Sequence, residues 1–154
     1  MTRFIVPSAV IAETTRALRD LGGERTVLWQ GAVDGTPVRI VRAVVPEQRS
    51  IRSGAGHAVH VAGAELARIQ FDAFDLGLRT WVQVHTHPGR NVEMSVLDVE
   101  WAIVDFPGAV SIIVPWFGEH GLSEWPGVAA YERGVAGWRP WTRRQLHGSI
   151  EVQE

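Results

Sequence analysis

Residues 82–101 read VQVHTHPGRNVEMSVLDVEW, with two histidines two positions apart at the end of an apolar run and a serine and an aspartate opening the next periodic segment. On a strand, residues i and i+2 face the same side, so His85 and His87 project into one small volume. Asp98, in the first turn of a following helix, can reach the same point across the intervening loop and add a carboxylate oxygen. Two imidazoles, one carboxylate and an open position describe a catalytic zinc site, in which bound water has its pKa lowered to about 7. Plainer readings stand beside this one. A His-x-His pair at a strand end is often two exposed histidines, and Ser95-Val-Leu-Asp98 is by itself a helix capping box. The same ligand set also suits a mononuclear iron(II) oxygenase.

The elements that must position these residues follow from periodicity. Residues 9–22 carry apolar positions near helical spacing and end at Gly22 and Gly23, which predicts a first helix. Residues 26–33 and 37–46 are rich in β-branched side chains and flank Asp34-Gly35-Thr36-Pro37, which predicts two antiparallel strands joined by a tight turn. A third strand is expected near 57–61. Residues 62–77 read as a second helix with Leu66, Ile69, Phe74 and Phe71 on its apolar face. Residues 80–88 form an extended run that Pro88 ends, so the two histidines fall at a strand terminus. Residues 95–108 read as a third helix, 109–117 as a fully buried strand, and 128–134 with 136–141 as a closing hairpin. The tail from about residue 143 reads as loosely held. His57 and His60 lie three apart in the expected third strand and point to opposite faces, so they read as surface or half-buried residues rather than a second metal site.

The chain has 154 residues, about one domain's worth, with 45% apolar and 21% charged residues, the composition of an ordinary globular protein. A net charge of -2 argues against nucleic acid as a partner. No cysteine occurs, which excludes disulfides, thiolate metal sites and a cysteine nucleophile. No apolar run approaches the roughly 20 residues that cross a bilayer, and the first residues lack the zones of a signal peptide, so a cytoplasmic protein is the expectation. All 15 basic residues are arginine. Coding bias explains this most simply; an enzyme living beside a conjugating system would also gain by offering no acceptor amine.

Taken jointly, His85, His87, Pro88, Ser95 and Asp98 resemble, residue for residue, the signature of the JAMM (JAB/MPN+) zinc metalloproteases. That resemblance implies an upstream glutamate just before the first strand with a glycine seven residues on, the spacing of Glu24 and Gly31. Glu47, in VVPEQRS, is the rival. Several residues between, Arg25, Thr26, Val27 and Trp29, depart from the small residues many relatives carry there. The implied fold is α/β, a single-domain mixed β-sheet packed between helices with a cytidine-deaminase-like layout, covering about residues 10–141. The implied chemistry is hydrolysis with one Zn2+ per chain on His85, His87 and Asp98, Glu24 as the proton shuttle and Ser95 as hydrogen-bond donor to the oxyanion.

The compact, lysine-free chain is similar to the bacterial stand-alone members. These imply a zinc isopeptidase that cleaves after the C-terminal tail of a ubiquitin-like protein, either in deconjugation or in precursor maturation. Processing of a sulfur-carrier protein and a non-catalytic MPN-type scaffold are the alternatives. A RadC-type relative fits less well, since Thr86 stands where that group carries asparagine. Expected partners are the ubiquitin-like or sulfur-carrier substrate and the activating and conjugating enzymes of its pathway, with no nucleic acid and no membrane. Trp116 and Trp125 flank the loop FGEHGLSE and could form a substrate groove.

Overall fold

The computed structural model describes residues 1–20, 23–54 and 56–154. Its strands are β1 (Phe4–Pro7), β2 (Thr26–Ala32), β3 (Val38–Val44), β4 (Arg49–Ser53), β5 (Gly56–His60), β6 (Leu78–Thr86), β7 (Val110–Val114), β8 (Ala129–Arg133), β9 (Trp138–Pro140) and β10 (Ile150–Gln153). Its helices are α1 (Ser8–Arg19), α2 (Gly63–Asp75), α3 (Val96–Glu100) and α4 (Arg143–Ser149). Eight strands form one sheet in the order β10-β1-β3-β2-β6-β7-β8-β9, and β4 and β5 pair separately. The sheet is mixed: β6 runs parallel to β7 and antiparallel to β2.

Alternation along β6 divides its side chains between two unlike faces. Val82 and Val84 join Val27, Trp29, Val110, Ile112 and Leu18 in the core beneath α1, where the Trp29 indole N–H donates to Thr14 Oγ1 at 2.8 Å. The opposite face of the same strands carries Gln83, His85 and His87, buried but polar, beside Thr26 and Ser111. One face thus supplies the apolar area that stabilises the fold, and the other holds the groups that can do chemistry.

Gly31 sits where the β2–β3 register shifts, and a Cβ there would lie 2.4 Å from the Arg39 carbonyl oxygen. Only glycine fits that approach. Gly23 adopts a φ of +80°, a left-handed turn that leads the chain from α1 into Glu24. Gly22, the other expected helix stop, lies outside the described residues.

Three expectations need correction. Phe71 and Phe74 are exposed at 72% and 81%. The buried stripe of α2 runs Glu65, Ile69 and Ala73, and Phe74, five residues past Ile69, lies about 140° round the helix from it. The third helix stops at Glu100, because the N–H groups of Ile103 and Val104 go to Gln83 Oε1 on the sheet rather than to helix carbonyls. The tail is ordered: a Thr142/Gln145 capping box starts α4, Leu146 and Ile150 enter the core, and β10 pairs in parallel with β1. Strands β1 and β4 were not foreseen, whereas β2–β3, β6, β7 and the β8–β9 hairpin match the expectation.

Candidate metal centre

His85 is the penultimate residue of β6 and His87 follows the strand, both on the polar face and both about nine-tenths or more buried. The N–H of His87 still donates to Val114 O at 2.9 Å, and its carbonyl accepts from the Phe117 N–H at 2.9 Å, so the backbone of this ligand is held from β7 and the turn beyond it. Asp98 is the third residue of α3. Its carboxylate accepts from the Ser95 N–H at 2.8 Å while Ser95 Oγ accepts from the Asp98 N–H at 3.0 Å. The capping box therefore exists, and it aims the carboxylate: Asp98 Oδ1 lies 3.3 Å from His85 Nε2 and Oδ2 lies 3.1 Å from His87 Nε2. The two readings of Ser95-x-x-Asp98 are one arrangement.

His85, His87 and Asp98 offer one ligand atom each, all within 4.8 Å of one another. Their chemistry fits a cation. His87 Nδ1 lies 2.8 Å from the Asn91 carbonyl oxygen, an acceptor that keeps a proton on Nδ1 and leaves Nε2 as the atom facing Asp98, a donor to the carboxylate when it carries a proton and a cation ligand when it does not. His85 Nε2 is buried and makes no well-formed hydrogen bond. Burial alone would raise the Asp98 carboxyl, but the facing His85 and His87 imidazoles and a hydrogen bond from the Ser95 backbone hold it well below the usual carboxylate range. An ionised carboxylate among buried nitrogens is a divalent-metal site in its donor set.

Glu24 is 1% exposed and lines, with His87, Asn91 and Ser95, a cavity of about 290 Å³. Its Oε2 has no hydrogen-bond partner among the described residues. Burial pushes its carboxyl up to about 7; His87 pulls partly back and Asp98 adds to the rise. Glu47 is exposed, with its N–H on Glu65 Oε2 beside α2. The geometry brings Glu24, and not Glu47, to the histidines.

A probable metalloprotease, y4jG, from Sinorhizobium fredii is 34% identical over 116 residues, which span 75% of this chain and 70% of that protein. The chain belongs to the JAB/MPN metalloprotease family. The fold agrees over its full length: the crystal structure of AF2198, a JAB1/MPN domain protein from Archaeoglobus fulgidus, superimposes with a TM-score of 0.54 at 14% identity, covering 100% of both chains. The solution structure of protein DSY2949 from Desulfitobacterium hafniense gives a TM-score of 0.64 at 18% identity, covering 98% of this chain and 93% of that one. No protein-family model matches the sequence.

Around this JAB/MPN centre stand residues that motif reading missed. The Gln48 side-chain amide accepts from the Thr26 N–H at 2.6 Å and donates to the Thr26 carbonyl at 2.9 Å, pairing β2 as a strand residue would after β3 has ended. Ser50 Oγ accepts from the Glu24 N–H at 3.1 Å. On the other side, Arg25 exchanges hydrogen bonds with Thr86. The segment bearing Glu24 is thus clamped between β6 and the β3–β4 connection, and no spacing rule announces such side-chain substitutes for a strand. Tyr131 Oη donates to Val92 O at 2.8 Å in the loop after His87; burial, with Glu93 and Asp98 nearby, pushes its pKa up and keeps the donor proton in place.

The two tryptophans separate. Trp116 is 42% exposed at the rim, its N–H on the Gly89 carbonyl. Trp125 is 5% exposed and packs in the hydrophobic core, so it forms no groove. His60 is half-buried, edge-on to Trp101 at 5.6 Å; the His57 side chain lies outside the described residues. Among the described residues no helix is long and apolar enough to cross a membrane.

Proposed function

We propose that this metalloprotease-family chain is a zinc-dependent isopeptidase that cleaves after the C-terminal tail of a ubiquitin-like protein. The observation that carries the reading is the shape of the approach to His85 and Asp98. That approach is a cavity of about 30 Å³, walled by Ala58 and Val59 of β5, Leu97 of α3, and Trp101. A space of that size admits little more than a water beside the ligands, so a tail lying over it cannot place a bulky side chain there, and glycines meet that condition. Main-chain pairing along a sheet edge such as β5 would supply affinity independent of side chains.

His85, His87 and Asp98 would hold the zinc, which when bound supplies Lewis-acid polarisation of the scissile carbonyl and a lowered pKa for the attacking water. Glu24 takes the proton from that water on its unpartnered Oε2 and delivers it to the leaving amine as the C–N bond breaks. A carboxyl whose pKa has been raised to about 7 can both accept and release a proton near neutrality. Ser95 Oγ accepts from the Asp98 N–H, which leaves its own proton free to donate to the oxyanion. The wall residues exclude bulk water, which strengthens each of these interactions.

In this reading the globular part of the substrate docks beside the exposed Trp116 and Phe117 and supplies most of the binding energy, so a short tail peptide turns over poorly. Conjugating or sulfur-transfer enzymes would be the neighbouring activities, and the cytoplasm their compartment. The test offers the purified enzyme a ubiquitin-like protein fused through its glycine tail to a reporter, next to a peptide of the tail alone. Cleavage of the fusion after the tail, with slow turnover of the peptide, is expected. Equal turnover of both, or cleavage at unrelated sites, would make the enzyme a general peptidase.

A further inference from the structure

We propose that Tyr131, on β8 and outside the metal-binding signature, is a positioning residue for the His87 ligand. The inference rests on the metal-peptidase reading of the same site. A histidine that binds metal through Nε2 must carry its proton on Nδ1, and the acceptor facing Nδ1 selects that tautomer and fixes the ring plane. Here the acceptor is the Asn91 carbonyl at 2.8 Å. This carbonyl belongs to neither sheet nor helix; it sits in the crossing from β6 to α3. Its direction therefore depends on what anchors the peptides around it.

That crossing is anchored at its ends by the Trp116 N–H on Gly89 O and by the Ser95 cap. Between them, two contacts flank the Asn91 carbonyl. The Glu93 N–H donates to Asn91 Oδ1 at 3.0 Å, which closes a local turn. Tyr131 Oη donates at 2.8 Å to the next carbonyl, that of Val92. Of the two, only the tyrosine ties the turn to the sheet. It is aimed there by register: Gln83 pairs with Ser111, and Ser111 with Tyr131, so the three lie in one row across β6, β7 and β8. This is the face that, two and four residues further along, carries His85 and His87. The hydroxyl thus holds the Val92 peptide at a fixed height above the sheet, and with it the carbonyl that orients His87.

Tyr131→Phe keeps the ring and removes only this O–H. Zinc affinity, measured by competition with a chromophoric chelator, should weaken about tenfold, the lower end of what loss of an outer partner costs a metal site. The visible spectrum of the cobalt(II)-substituted protein should change in the same variant, reporting altered ligand geometry. Asn91→Ala, at an exposed side chain, removes the other anchor and should weaken zinc binding in the same direction, which decides the matter if Tyr131→Phe folds badly. Wild-type zinc affinity and an unaltered cobalt spectrum in folded Tyr131→Phe would overturn the inference, as would a lowered unfolding temperature with unchanged affinity. A wild-type chain that bound no zinc would overturn the metal reading itself, and this inference with it.

Discussion

Asp98 and Glu24 are both carboxylates, both almost fully buried, and both within the influence of His87, yet their surroundings drive them in opposite directions. Asp98 meets donors on every side: two imidazoles and the Ser95 N–H outweigh its burial and keep it ionised. Glu24 has a buried Oε2 with no donor among the described residues, and burial wins, lifting it to about 7. The difference lies in how each segment is built. Asp98 stands in the first turn of a helix whose cap supplies hydrogen bonds, whereas Glu24 precedes a strand whose brace from Gln48 and Ser50 satisfies only the backbone. In the proposed mechanism two carboxylates pushed apart in this way would divide into a fixed charge and a proton carrier.

Removing the fixed charge should have the largest effect. Asp98→Ala takes away a ligand, so hydrolysis of the fusion substrate should fall to background and zinc should be lost together with it. Glu24→Gln should separate the two readouts: zinc and fold are kept, and turnover falls at least about a hundredfold, the contribution usual for a general acid–base group. Glu47→Gln should stay close to wild type; if it were the dead variant and Glu24→Gln the active one, the roles would have to be exchanged.

The raised pKa of Glu24 has a stability consequence in chelator-stripped protein. A carboxyl that binds its proton more tightly in the folded state stabilises the fold while protonated, and that stabilisation is lost as pH rises through the folded value near 7. Between pH 5.5 and 8.5 the wild type should therefore lose about 2 kcal/mol relative to Glu24→Gln. Denaturant unfolding of the two proteins at both pH values measures it, and parallel curves would mean that Glu24 is not buried as described. A smaller loss of turnover than that of Glu24→Gln is expected from the brace. Gln48→Met removes both contacts to Thr26 and should lower turnover roughly tenfold with zinc retained. In a Glu24→Gln background it should cost nothing further, because nothing remains to be aimed; equal losses in both backgrounds would reduce Gln48 to a structural role.

The ligand set was legible because local rules fix it: alternation puts His85 and His87 on one face, and the Ser95 cap points Asp98 back at them. Gly31 stood out only through its spacing from Glu24 in the family pattern; the structure supplies the physical reason, since its Cβ would strike the Arg39 carbonyl. Long-range contacts were not legible. Nothing near Gln83 says that its side chain will capture the N–H groups of Ile103 and Val104 and end α3 early. Nothing near Trp125 says that it turns inward while Trp116 stays at the rim. The tail looked loose because its few apolar residues, Leu146 and Ile150, matter only once β1 is present as a pairing edge. Gln48 and Tyr131 act through single side-chain contacts to distant backbone, which leave no periodic trace.

The claim that His85, His87 and Asp98 hold a catalytic metal beside a Glu24 that does not bind it is tested most directly by metal analysis of three purified proteins. These are the wild type, Glu24→Gln, and the double variant His85→Ala, His87→Ala. One zinc per chain is expected in the first two and none in the third. A wild type free of transition metal, or full retention of metal in the double variant, would contradict it.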